Sequence, residues 1–334
     1  MTKSKERVTI ADVARQADVS SMTVSRVLNN KEGISEETRE HVLAVMNELD
    51  YRPNRVARSL ATDKTLKIGI VIPSLSSAYF GAILEGAERV FWEHGYHMLL
   101  CNTGNIIRHE QAVMDLFEED RVDGVLTFSS QLSSEQLASY LRNQRAAVVL
   151  NAEIDPDVAG HIFIDEPASM ALGVDHLLQN GRRRLGYIGV GGDNYAKRER
   201  ARSFQRTLEA AGHPVEPAYI VENCGRGYGA LTQLLCDHPD IDGIICFNDE
   251  VAARVLRVCA DLGRRVPDDV AVVGYDDIFL AELLTPALTT LRLSLTKHEV
   301  GAMAARMLLA RIEGVAHQNP VILSHELVIR DSAP

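Results

Sequence analysis

Between Val8 and Leu49 the apolar residues recur with helical spacing in three short runs. Ile10, Val13, Ala14 and Ala17 fall at i, i+3, i+4 and i+7 behind Thr9, an N-cap residue type. Asp18-Val19-Ser20 predicts a tight turn, with Val19 turned inward and Ser20 capping a second helix that buries Val24, Val27 and Leu28. Ser35 caps a third helix, with Glu36 and Glu37 in the first turn, where the dipole favours them. Val42, Val45, Met46 and Leu49 form its buried stripe. From Leu66 the pattern changes to apolar runs of strand length alternating with helical ones. Strands are predicted at 67–73, 97–102, 124–128, 147–151, 161–165, 185–190, 219–221, 243–247, 270–275 and 288–291, with a last one near 321–329. Helices fall between them, the longest at 80–94, 167–180, 199–211, 250–262 and 296–312. Strand–helix alternation of this length implies parallel sheets with right-handed crossovers. Two such runs in succession imply two doubly wound lobes whose strand-end loops face a shared cleft.

The outer face of the second helix changes the picture. Ser21, Met22, Ser25, Arg26 and Asn29 also follow helical spacing, and they are groups that meet base edges and phosphates. Two helices joined by a three-residue turn, the second carrying such a face, predict a helix-turn-helix. The net charge of −11 argues against nucleic acid only until it is divided. Residues 1–64 carry 11 Lys and Arg against 10 Asp and Glu; the rest carries 24 against 36. An acidic body behind a near-neutral head limits non-specific adhesion and leaves local cations to the phosphates. The length of 334 residues suits two or three domains. No apolar run approaches the roughly 20 residues that span a bilayer, and the N-terminal stretch lacks the apolar core of a signal peptide. The five cysteines are odd in number and scattered, which predicts reduced thiols in a cytoplasm rather than disulfides or zinc ligands.

The runs TIADVARQADVSSMTVSRVLNN and ISEETREHVLAVMNELDYRPNRVARSLAT resemble the DNA-binding headpiece and hinge of the lactose/galactose repressor (LacI/GalR) family of bacterial transcriptional regulators. The resemblance extends over nearly the whole chain. It implies an N-terminal all-α helix-turn-helix head at 1–52 and a hinge helix and linker at 53–65. An α/β body of two periplasmic-binding-protein-like lobes would follow, at 66–160 plus 288–321 and at 161–287 plus 322–334, with crossings near residues 160, 287 and 322. Ser21, Met22 and Arg26 would face base edges. Met22 can offer only apolar contact, for example to a thymine methyl. Thr9, Ser20, Thr23, Ser25, Asn29, Ser35, Asn54 and Arg55 would position the head on phosphates, with Thr9, Ser20 and Ser35 also capping. Pro53 stops the third helix; Ala57 and Leu60 would let two hinge helices pair and wedge into a minor groove.

On the ligand side, the family resemblance points to loops after strands. Ser74, Tyr79 and Phe80 follow the first strand, and Asn102, Phe128 and Asn151 end the next three. Arg200 matches the arginine that clamps the family's effectors, and Lys197 and Arg198 beside it raise the prospect of a phosphorylated or acidic sugar. Asn248 and Asp276 would bond sugar hydroxyls, and Asp249 and Asp277 read as caps. Glu222 stands where relatives often carry an aromatic, so a stacking platform there is in doubt. Enzyme motifs are missing: no dinucleotide fingerprint, Walker lysine, His-Glu-x-x-His or Gly-x-Ser-x-Gly occurs. The sequence thus predicts a cytoplasmic homodimeric repressor without metal or cofactor and without a membrane partner. It would bind near-palindromic double-stranded operator DNA under control of a sugar or sugar phosphate. The alternatives are a nucleoside or purine corepressor, or a solute-binding receptor with no DNA role.

Overall fold

The structure, a computed structural model, describes residues 8–28, 31–52, 63–221, 228–315 and 320–334, with only the backbone of Tyr228. Asn29, Asn54, Arg55, Ala57, Leu60 and Glu222 lie outside the described residues. The chain divides into two compact units, residues 1–65 and 66–334.

The first unit contains α1 (Ile10–Gln16), α2 (Ser21–Leu28) and α3 (Glu36–Glu48). Each starts at the predicted cap. Thr9 accepts the Asp12 amide while Asp12 reaches back to the Thr9 amide at 3.0 Å, a complete capping box. Ser20 accepts the Thr23 amide at 3.1 Å and Ser35 that of Thr38 at 3.2 Å. Asp18 takes a left-handed φ of 50° to turn the chain between α1 and α2. Val13, Ala14, Ala17, Val24, Val27, Val42, Val45 and Met46 make the core, with Val19 and Leu49 against it.

The second unit opens with β1 (Lys67–Ile72), α4 (Ala78–Glu93), β2 (His97–Asn102), α5 (Ile107–Glu119), β3 (Gly124–Phe128), α6 (Ser134–Arg142), β4 (Ala147–Leu150) and β5 (Gly160–Ile164). It continues with α7 (Glu166–Gln179), β6 (Leu185–Ile188), α8 (Tyr195–Ala210), β7 (Ile220–Val221), α9 (Tyr228–Asp237), β8 (Gly243–Cys246), α10 (Asp249–Asp261), β9 (Ala271–Tyr275), α11 (Leu280–Leu283) and β10 (Thr289–Leu293). It closes with α12 (Lys297–Ile312), β11 (Val321–Leu323) and β12 (His325–Val328). One sheet runs β11-β5-β4-β3-β1-β2, all parallel. The other runs β12-β10-β9-β8-β6-β7, parallel except that β12 is antiparallel to β10. Strands buried on both faces, such as Gly124–Phe128 and Ala271–Tyr275, carry the near-continuous apolar runs that parallel sheets require.

The expected lobe boundaries need correction. β5 still pairs with β4, Leu150 opposite Ile162, so the first crossing follows Ile164 rather than residue 160. β10 pairs with β9, Leu291 opposite Tyr275, which places 289–293 in the C-terminal lobe and the second crossing after Leu293. The expected single strand at 321–329 is two: β11 joins the first sheet, β12 the second, and Ser324 is the third crossing. An apolar run records burial but not which sheet buries it. The three connections lie side by side. The Asp165 amide donates to Leu323 O at 2.9 Å, the Ser294 amide to Ser324 O at 3.0 Å, and Ser324 Oγ to Ser294 Oγ at 3.2 Å.

In the N-terminal lobe, α4 and α12 touch backbone to backbone. A Cβ on Gly86 would lie 2.0 Å from His298 O, and one on Gly301 1.8 Å from Ile83 O. Glycine at both positions lets α12 settle deeply enough to bring Lys297 to the crossing.

Candidate functional site

On the head, α2 turns Ser21, Met22 and Arg26 outward and leaves Ser25 half-buried. Ser21, Met22 and Arg26 are exposed, and Met22, at 72%, is a long apolar side chain left in water. Arg26 lies along the following loop, its Nη2 donating to Glu32 O at 3.0 Å. Ser20 caps the helix, and the Thr23 hydroxyl shares a hydrogen bond with that of Ser20 at 2.9 Å.

In the body, the loops at the carboxyl ends of both sheets face one cleft. The N-terminal wall is aromatic: Tyr79 meets Phe80 edge to face at 5.3 Å, and Phe80 meets Phe128 at 5.9 Å. Phe128 is buried behind Phe80. Phe163 on β5 reaches Tyr195 on α8, of the other lobe, at 6.0 Å between ring centres. Burial raises the Tyr79 phenol, and the Asp276 carboxylate opposite raises it further.

Arg200 is the centre of the C-terminal wall and is buried. Its Nε donates to Glu166 Oε2 at 2.9 Å and its Nη1 to Phe247 O at 2.7 Å. The guanidinium carbon lies 3.5 Å from the Tyr275 ring centre and 4.6 Å from that of Phe247. Tyr275 donates to the same Glu166 oxygen at 2.6 Å, while Glu166 Oε1 is buried with no partner among the described residues. Burial opposes the guanidinium charge, but Glu166, Tyr275 and Asp276 outweigh it and hold Arg200 above its ordinary range. Next to this pair, His325 Nδ1 lies 2.8 Å from Ser169 Oγ. That hydroxyl already donates to Asp165 O, so His325 donates from Nδ1. Burial, with Arg200 and Lys297 nearby, pushes the His325 imidazole down to about 3. Glu166, Ser169, Lys297 and His325 all stand within a few residues of a crossing between lobes.

Asp276 is the end of this network nearest the cleft. Its φ is 98°, its side chain is largely buried, and its carboxylate makes no side-chain hydrogen bond among the described residues, though its oxygens are not sealed from solvent. Burial pushes it up to about 8, with Arg200 opposing. Asp249, fully buried, is pushed up to about 6 by burial while it accepts Thr290 Oγ1 at 2.6 Å and the Ile278 amide at 2.7 Å. It therefore ties loops together rather than capping its own helix. Asp277 is not a cap either: it faces away from the cleft, 2.8 Å from Arg330.

Other expected ligand residues are otherwise engaged. Asn151, buried at φ 51°, accepts the Ile164 amide at 3.0 Å, and Asn248 caps α10 by accepting the Val251 amide at 2.9 Å. Ser74 bonds Ser76 at 2.8 Å, Asn102 is exposed at the end of edge strand β2, and Arg198 pairs with Asp193 at 2.6 Å. Lys197 donates to Gly191 O at 2.6 Å and across the cleft mouth to Asn105 Oδ1 at 3.4 Å. Glu166, Tyr275 and His325 were missed. Their only local signal is a Glu at the first turn of a helix after a strand, which reads as a dipole partner.

Residues 9–54 match the model for bacterial regulatory proteins of the lacI family, and residues 174–333 that for a periplasmic binding protein-like domain. The chain is 33% identical over 328 residues to the HTH-type transcriptional regulator RegA of Clostridium saccharobutylicum, covering 97% of this chain and 98% of that protein. It is 32% identical over 330 residues to the HTH-type transcriptional repressor PurR of Vibrio vulnificus, with the same coverage of 97% and 98%. Among solved structures, the transcriptional regulator CelR in complex with cellobiose matches with a TM-score of 0.71 at 28% identity, over 98% of this chain and 100% of that one.

Proposed function

Because this chain belongs to the LacI family of bacterial transcriptional regulators, we propose that it is a cytoplasmic DNA-binding repressor, controlled by a small hydroxylated effector held between the two lobes, and not an enzyme. The observation that carries the effector reading is Asp276. A largely buried carboxyl that faces the cleft and makes no protein hydrogen bond is free to bond a ligand's hydroxyls. Beside it stand Arg200, already neutralised by Glu166, and an aromatic wall. Such a cleft suits a neutral ring bearing hydroxyls better than a free anion: the polar groups fix its orientation and the rings cover its apolar face. The sugar complex of the similar CelR regulator agrees with that chemistry.

Two heads of a homodimer read the half-sites of a near-palindromic operator, since two-fold protein symmetry calls for two-fold DNA. Ser21, Met22 and Arg26 supply the reading face. The effector acts through differential affinity for two degrees of lobe closure, and residues 53–65 pass that difference to the head. A coupling of about 1–3 kcal/mol suffices for a switch. The test is a gel shift against fragments of the source genome, repeated with a panel of sugars and nucleosides. Selective retardation altered by a compound that binds wild type but not Asp276→Asn bears the proposal out. Equal retardation of all fragments with every compound refutes it.

A further inference from the structure

Next to the cleft, wholly within the C-terminal lobe, lies a pocket of about 350 Å³. Its position has a topological meaning. In this sheet β6 is flanked by β7 on one side and β8 on the other, so the chain reverses direction across the sheet between β6 and β8. The crevice beyond the carboxyl ends of those two strands is where open α/β sheets take ligands. Tyr187 of β6 and Phe247, which follows β8, line it, with the glycine-rich loop after β6 and with Lys197, Arg198 and Arg202 of α8.

We propose that this pocket binds a phosphoryl group, carried by the effector whose hydroxylated part fills the cleft; that link to the effector rests on the cleft being the effector site. Of the three lining cations, Arg198 is paired with Asp193 and Arg202 lies 4.0 Å from Glu199. Lys197 is the decisive group. It is half-buried, its ammonium donates to Gly191 O and Asn105 Oδ1, and no carboxylate lies within 4.0 Å of it among the described residues. Burial lowers its pKa, with Asp193 only partly opposing, so an entering oxyanion would relieve a charge the fold leaves poorly compensated. Gly192 makes the space: at φ +102°, a Cβ there would sit 2.5 Å from Lys197 Nζ. The cleft proper has the opposite character, because Arg200 is matched by Glu166 and Asp276 adds no positive charge. Phe247 is the party wall, lining the pocket on one side and stacking on Arg200 on the other. A ligand with a hydroxylated ring and a phosphoryl group has a place for each end.

Inorganic phosphate is the first probe, titrated calorimetrically into the full chain at constant ionic strength. Saturable binding that weakens ~10–100-fold in Lys197→Met and in Arg202→Gln, and is unchanged in Arg206→Gln, supports the site. Arg206 is on the same helix but outside the pocket, paired with Glu199. Non-saturable binding, or equal binding by wild type and both pocket variants, overturns it. Glucose 6-phosphate then separates the sources. Tighter binding than phosphate assigns the group to an effector; equal binding leaves a free-anion site and overturns the link to the cleft. A protein that responds to a neutral sugar through Asp276 yet ignores phosphate refutes the pocket and spares the cleft; the reverse pattern refutes the cleft and spares the pocket.

Discussion

Replacing Asp276 by Asn is the sharpest probe of the cleft. Asn has the same shape and cannot ionise. In the folded body burial lifts the Asp276 carboxyl from 3.8 to about 8. The folded protein therefore keeps a proton that the unfolded chain has already released between about pH 4 and pH 8. Stability is lost as pH rises through that window, and the loss is complete above the folded value. Each pH unit inside it costs about 1.4 kcal/mol. From pH 5.5 to 7.5 wild type should thus lose about 2.7 kcal/mol relative to Asp276→Asn. At roughly 2–4 °C per kcal/mol for a body of this size, the gap between their melting temperatures should widen by about 5–10 °C. Differential scanning calorimetry of both proteins in matched buffers measures it, and taking the difference cancels groups that titrate alike in each. Asp249, pushed up to about 6, is the main neighbour retained in both. Melting curves that run parallel from pH 5.5 to 7.5 would refute the argument: Asp276 would then be solvated or paired, and the reason for assigning it to a ligand would go with it.

Other outcomes follow from named contacts. Glu166→Ala leaves Arg200 buried without its carboxylate and should cost about 3–5 kcal/mol, read from a urea midpoint, with Glu166→Gln retaining part of the loss because it still accepts a hydrogen bond. Gly301→Val drives a side chain into the backbone of α4 and should destabilise the body by at least about 1–3 kcal/mol; a neutral result would show that α4 and α12 can separate freely. Met22→Ala should relax base preference at one operator position by about 1 kcal/mol without changing the salt dependence of binding, as measured by selection from random DNA; a changed salt slope would place Met22 in phosphate positioning instead.

Much of the fold is legible in the chain because its cues are local. Thr9, Ser20 and Ser35 cap helices through contacts only three residues away. Strand–helix alternation follows from burial period alone. The lobe crossings are not legible, since Leu323 and His325 are both buried yet belong to different sheets. The site was half legible. The family resemblance picks out Arg200 and Asp276, but the partners of Arg200 are 34 and 47 residues away and one of the two partners of Lys197 is 92 away. For Asn151 and Asn248 the residue type is legible but the bonds already made are not. A carboxamide at a strand end has the chemistry for a sugar, and only the backbone shows that Ile164 and Val251 have already taken its oxygen.

The tail segment that supplies β11 to one sheet and β12 to the other has a bearing on how the protein is made. Ser332, farther along the same segment, accepts the Thr289 amide at 2.8 Å and donates to Val272 O at 2.6 Å, fastening it to both β10 and β9. Neither lobe can finish assembling during translation until these late residues have left the ribosome. A transcript cut short anywhere upstream of Val321 therefore yields two incomplete sheets with raw edges, a product for proteolysis rather than a half-working regulator.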